Sequence, residues 1–183
     1  GILEQLVQKI KQRDGYYSLM AKLSDGNFSK RSLYKHWLKH DLDSFREFWQ
    51  TLDPAVQENT LTYELSGAWL KQAPLEAATL MVQYLGEKKA YDKVIYQWPQ
   101  ESFGEAVEWL LQKKSRQEVD QLLLNHPLPM EFIKFSEPEK FLDYCKHIEN
   151  ANKHFDDLKK SILLLKEDDR ALSGFRILQE AGR

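Results

Sequence analysis

The sequence predicts an all-α protein, and three observations lead there. Apolar residues recur at three- and four-residue spacing almost everywhere, helix-start and helix-stop signals punctuate that pattern, and no stretch alternates convincingly with a period of two.

The elements follow in chain order. The opening ILEQLVQKIKQR, residues 2 to 13, is amphipathic, with Lys9, Lys11 and Arg13 near its end, where cations complement the helix dipole. Asp14-Gly15 and Asp25-Gly26 read as stops. Residues 30 to 39, KRSLYKHWLK, interleave cations with aromatics, and Phe45, Phe48 and Leu52 form the next apolar stripe. Asp53-Pro54 is a cap followed by a first-turn proline, where the missing N–H costs nothing. Leu61, Leu65, Ala68 and Trp69 are expected as one stripe on one helix. After a corner at Pro74, Leu75, Ala78, Val82 and Leu85 make a second stripe that Gly86 ends. Phe103, Val107 and Leu110 mark a further helix. Ser115-Arg-Gln-Glu118 and Ser136-Glu-Pro-Glu139 match S-x-x-E, in which serine satisfies a free N–H and glutamate reaches back. Phe141, Cys145 and Ile148 make an apolar stripe, and Phe155, Leu158, Ile162 and Leu165 make the last. About ten or eleven helices of ordinary length are expected.

A chain of 183 residues with 42% hydrophobic content is expected to be a single domain with a core of its own. Residues 1 to 125 form a helical-hairpin body, and 126 to 183 an ordered proline-containing loop followed by capping helices. The segment from 125 to 138 carries three prolines but also Leu128, Met130, Phe132, Ile133 and Phe135, too apolar for a flexible linker. Twenty-six basic against twenty-eight acidic residues leave a formal charge of −2, with no bulk attraction to phosphate backbones or anionic lipid. The single cysteine, Cys145, closes no intrachain disulfide. No apolar run approaches the ~20 residues needed to span a bilayer. Gly1 in place of Met reads as a cloning remnant, so an upstream signal peptide or flanking domain stays compatible, as do cytoplasm and bacterial periplasm or envelope.

Trp37, Trp69 and Trp109 each precede leucine on what reads as the last turn of a helix, with a new start soon after: Asp41, Ala73-Pro74 and Ser115. Their spacings of 32 and 40 residues lie within the range of two-helix repeats. A large ring there fills the angle between antiparallel helices. On Trp69, Leu70, Pro74, Ala77 and Ala78, the region from about 28 to 125 resembles bacterial α-helical repeat proteins in which a tryptophan helix end precedes a D-P-x-x-A-A type start, loosely related to the tetratricopeptide and HEAT classes. The resemblance implies stacked antiparallel hairpins, α-solenoid-like, and a protein-binding role. The units at Trp37 and Trp109 lack the proline, and an irregular helical bundle is the alternative architecture.

No motif assigns a catalytic, metal-binding or cofactor-binding residue. Glu-x-x-His pairs, His-Glu-x-x-His and G-x-G are absent, and Asp156-Asp157 and Asp168-Asp169 read as solvated faces. His36 and His40 lie one turn apart with Asp41 and Asp43 beyond, half a metal site beside the repelling Lys35 and Lys39. Cys145 with His147 suggests an activated thiol, but the stripe it joins predicts a buried structural cysteine. His126 and His154 read as surface or capping residues. The expected function is a non-catalytic helical-repeat module for protein–protein interaction or scaffolding, with a protein or peptide partner and a groove drawing on Tyr63, Tyr84, Tyr91, Tyr96 and Trp98. Two alternatives compete: a helical enzyme with a dispersed active site, and a nucleic-acid-binding or regulatory module using the basic face at 30 to 39. A fragment of a larger receptor or envelope protein is a further possibility.

Overall fold

Short helices joined by abrupt corners build this chain. The computed structural model describes residues 2–10, 13–23, 28–63, 65–135, 137–165 and 169–183. Among these lie fourteen α-helices and one 3-10 turn, with no strand, so the protein is all-α. Two compact units divide between Pro99 and Gln100. The first contains α1 (Ile2–Lys9), α2 (Arg13–Met20), α3 (Phe28–His40), α4 (Leu42–Gln50), α5 (Pro54–Tyr63), α6 (Ser66–Gln72), α7 (Pro74–Leu85) and α8 (Glu87–Gln97). The second contains the 3-10 turn Gln100–Ser102, α9 (Phe103–Leu111), α10 (Arg116–Asn125), α11 (Leu128–Lys134), α12 (Pro138–Cys145), α13 (Asn152–Leu165) and α14 (Asp169–Glu180).

The helix number exceeds the expected ten or eleven because some corners are a single residue, which hardly interrupts apolar periodicity. Asp41, Ala73 and Gly86 each stand alone between two helices. Asp41 accepts from the Ser44 N–H at 3.2 Å and caps α4. Gly86, at φ 81° and ψ 161°, holds a backbone region essentially confined to glycine. Ser115 and Glu118 form the reciprocal capping box that their spacing predicts. Pro54 and Pro138 open α5 and α12, while the Ser136 cap and the Asp25-Gly26 stop lie outside the described residues.

Three expectations are corrected. Asp14-Gly15 is a beginning: α2 runs through both, and a Cβ on Gly15 would stand 2.9 Å from Ile10 Cγ2, so the glycine permits a close approach to the preceding segment. Leu61 and Leu65 do not share a helix: α5 ends at Tyr63, and Leu65 lies in the corner before α6, its N–H turning back to the Thr60 carbonyl at 2.9 Å. Both remain fully buried, so the corner preserves the facing that a continuous helix would have given. On α7 the inward face is Ala77, Ala78 and Met81, whereas Leu75 in the first turn is 57% exposed.

The first unit is organised around aromatic rings. Trp37 is stacked between Tyr16 (5.0 Å between centroids, 9° between planes) and Phe48 (4.8 Å, 21°), and its indole N–H donates to Ser44 Oγ at 2.6 Å. Phe45 meets Trp37 and Trp69 edge-on at 5.8 and 5.6 Å, and Trp69 meets Trp49 at 5.2 Å. Each such pair adds about 0.5–1.5 kcal/mol beyond the area it buries.

In the second unit the C-terminal carbonyls of α10 have lost their helical donors, and side chains from α12 and α13 replace them. Tyr144 Oη donates to the Leu123 carbonyl at 2.9 Å, and His154 Nε2 to the same oxygen at 3.1 Å. Lys153 Nζ reaches the Leu124 carbonyl at 3.3 Å. The proline-containing stretch folds as α11, with Leu128, Phe132 and Ile133 buried.

Candidate functional site

The histidine pair at the end of α3 is already engaged. The His36 and His40 rings lie 4.2 Å apart, and His36 Nε2 donates to the Ile10 carbonyl at 3.0 Å, tying α3 to the end of α1. The carboxylates beyond it are engaged too: Asp41 caps α4, and Asp43 pairs with Arg46 at 2.5 Å. Arg46 also clasps Glu76 on α7 through Nε at 2.7 Å and Nη2 at 2.5 Å, a bidentate bond that sequence reading missed because its partners are thirty residues apart. Among the described residues no three His, Cys, Asp or Glu side chains form a metal-holding group.

Cys145 is buried, and desolvation pushes its thiol up to about 12, with Arg183 acting weakly in the opposite direction. That is the reverse of activation. His147 packs edge-on against Phe103 at 5.3 Å, and burial lowers its pKa. Cys145 contributes to an open depression of about 660 Å³ with Leu142, Phe155, Glu180 and Arg183. The Arg183 guanidinium covers the Phe155 ring at 4.7 Å and bonds Asn152.

His126 and His154 are both buried, not surface residues. His126 keeps a capping role at the end of α10, where its Nδ1 accepts from the Leu128 N–H at 3.2 Å. His154 stands beside Tyr144 and Phe141, with Nδ1 buried and without a hydrogen-bond partner. Desolvation holds its pKa below the ordinary histidine value.

The five aromatics expected at a groove separate clearly. Tyr91 and Trp98 are buried, and Tyr84 meets Trp49 edge-on at 5.1 Å. Tyr63 and Tyr96 are 77% and 53% exposed. Tyr63 ends α5, next to Thr62, whose carbonyl receives Lys93 Nζ from α8 at 2.6 Å. Tyr96 lies one turn beyond Lys93, and its neighbour Gln97 accepts from Ser66 Oγ at 2.6 Å. These two bonds join the end of α5 and the start of α6 to the end of α8, bringing both exposed rings to the same end of α8. Lys93 is the cation that α5 lacks in its own last turn, and desolvation lowers its pKa.

The basic face of α3 also takes definite form. Leu33, Tyr34, Trp37 and Leu38 point inward. Arg31, Lys35 and Lys39 are exposed at i, i+4 and i+8, one row along the outer side. No described helix is long and apolar enough to cross a membrane. No family model matches the chain, and no curated protein or solved structure matches it.

Proposed function

We propose that this chain is a non-catalytic helical-repeat module for protein–protein interaction or scaffolding. The observation that carries the reading is the pair of exposed tyrosines, Tyr63 and Tyr96, set at one end of α8 by the Lys93 and Gln97 bonds. Tyrosine is an enriched interface anchor because a rigid ring gives large contact area at small entropic cost, while its hydroxyl tolerates water when unbound.

Helix order supports the repeat. The triplets α3–α5, α6–α8 and α9–α11 begin at residues 28, 66 and 103. The first helix of each carries a buried tryptophan on its last turn: Trp37, Trp69 and Trp109. In each triplet a second helix follows after a short corner, as in the expected hairpin, and a third short helix extends the unit. Trp37, Phe45 and Trp69 are in sequential ring contact, so the first triplet packs on the second as neighbouring repeats do. The buried thiol and the backbone-bonded His36 and His154 fit a structural use of these groups.

Photo-crosslinking residues at positions 63 and 96, with the exposed position 112 of the second unit as control, test the reading in lysate and envelope fractions of the source cell. A reproducible partner captured from 63 and 96, and lost when the other tyrosine is changed to alanine, is the expected result. Equal capture from all three positions, or turnover of a small molecule by a pocket distant from them, would overturn it.

A further inference from the structure

We infer that the depression beside Phe155 in the second unit is a docking pocket for an arginine side chain, carried next to an apolar residue on a segment of a protein partner. The inference rests on the interaction-module reading and adds a contact of defined chemistry to it. The end of α14 shows how such a side chain sits. Gly182 is left-handed at φ 68°, its N–H returns to the Gln179 carbonyl at 3.1 Å, and the Arg183 N–H returns to the Leu178 carbonyl at 2.8 Å. These are the paired bonds of a helix that ends on glycine. The turn sets the Arg183 guanidinium 4.7 Å from the centre of the Phe155 ring, with a further bond to Asn152. The depression thus already holds one guanidinium, supplied by the chain itself.

The rest of the lining calls for more positive charge and for apolar contact. Glu139, Glu149 and Glu180 are exposed within it, and none forms an ion pair among the described residues. Asp143 and Lys146 pair with each other at 2.7 Å, which leaves three carboxylates facing the single charge of Arg183. Cys145, Ile148, Ala151 and Phe155 supply a buried apolar floor. The volume of about 660 Å³ is that of a ligand pocket and far exceeds one guanidinium, so an apolar neighbour of the incoming arginine has room. A phosphate or other anion would meet the unpaired carboxylates. A divalent cation needs ligands set closer together, and no three His, Cys, Asp or Glu side chains among the described residues form such a group. A guanidinium both stacks on a ring and forks onto a carboxylate, whereas an ammonium is a point charge.

Fluorescence anisotropy of four labelled probes decides the matter: a capped peptide with arginine between two leucines, its citrulline counterpart of equal shape without the charge, its lysine counterpart, and spermidine. The protein is used unaltered, as Arg183→Ala, and as the triple variant Glu139→Gln, Glu149→Gln and Glu180→Gln. A second triple, Glu101→Gln, Glu105→Gln and Glu108→Gln, changes net charge equally at exposed positions outside the depression. Circular dichroism confirms that all four are folded. The arginine peptide is expected to bind the unaltered protein and the second triple alike, and about tenfold or more weaker to bind the first triple. Arg183→Ala should tighten binding about threefold, the worth of one exposed cation–π contact, because the Phe155 ring loses its tethered competitor. Equal affinity for the citrulline peptide, the lysine peptide or spermidine, equal loss in both triples, no gain in Arg183→Ala, or no binding at low ionic strength would overturn the inference. Capture through Tyr63 and Tyr96 is read separately. Its persistence alongside a failed peptide titration would leave the module reading intact and remove only the Phe155 pocket.

Discussion

Removing the hydrogen bond between Trp37 and Ser44 should reveal how firmly the first unit depends on one buried polar contact. Trp37 is fully buried between two parallel rings, and Ser44 is buried beneath it. Replacement by phenylalanine keeps an aromatic ring in the stack but deletes roughly 50 Å² of apolar surface, about 1.3 kcal/mol of transfer energy. The void, on the order of 40 Å³, adds about 1 kcal/mol because a close-packed site relaxes only in part. Ser44→Ala leaves the indole N–H buried without an acceptor, at a cost of about 1–3 kcal/mol. Ser44 Oγ also lies 3.4 Å from the Asp41 carbonyl, so it is less orphaned in Trp37→Phe than the indole is in Ser44→Ala. The two losses should therefore overlap by about 1–2 kcal/mol in the double variant. Urea unfolding followed by tryptophan emission measures this, since four of the five tryptophans lie in residues 1 to 99. Strict additivity would refute the reasoning and reduce Trp37 to a volume filler.

Three further outcomes are expected. Acidification should destabilise the second unit: His154 has a folded pKa below its unfolded one, so the unfolded chain takes up the proton first, and stability falls as pH drops below the ordinary histidine range by up to about 1.4 kcal/mol per pH unit. Burial lowers the His147 pKa in the same sense, so His154→Gln should reduce the acid slope in chemical denaturation without abolishing it, and an unchanged slope would sink the assignment. Cys145 should resist a thiol-reactive dye in the native protein and react on unfolding, and rapid native labelling would contradict a thiol pushed up to about 12. Gly86→Ala should cost about 1–3 kcal/mol in urea unfolding through backbone strain alone, because no atom lies within 4 Å of the added methyl; a neutral substitution would show that the corner re-forms.

What could be read from sequence was whatever is decided within a few residues. The Ser115 box, the prolines opening α5 and α12, and the glycine ending α7 are local bargains between side chain and backbone, and the structure contains them. Asp14-Gly15 misled because the same dipeptide suits a first turn as well as a last, and Ile10, whose Cγ2 a Cβ on Gly15 would crowd at 2.9 Å, is five positions back. The stripe through Leu61 and Leu65 misled because a corner that keeps both inside is invisible to periodicity. At the candidate surfaces, the cation row of α3 was legible, but the engagement of Asp43 and Glu47 elsewhere was not. Five aromatic residues looked equivalent until tertiary packing buried Tyr91 and Trp98 and left Tyr63 and Tyr96 in water. His126 and His154 went inside for the same reason: their partners, the Leu128 N–H and the Leu123 carbonyl, are supplied by chain folding rather than by spacing.

The single-residue joints at Asp41, Ala73 and Gly86 make the first unit behave like a train of meshed gears. Each joint is a lone residue with non-helical backbone angles, so inserting or deleting one residue there rotates the following helix away from its present facing relative to its predecessor. At Gly86 that rotation would swing Tyr91 and Val94 out of the interior and carry Lys93 away from Thr62. Length variation is therefore excluded at these joints, and natural or engineered insertions belong in the exposed turn at 112 and 113, where the backbone already leaves the helix before Ser115 begins the next.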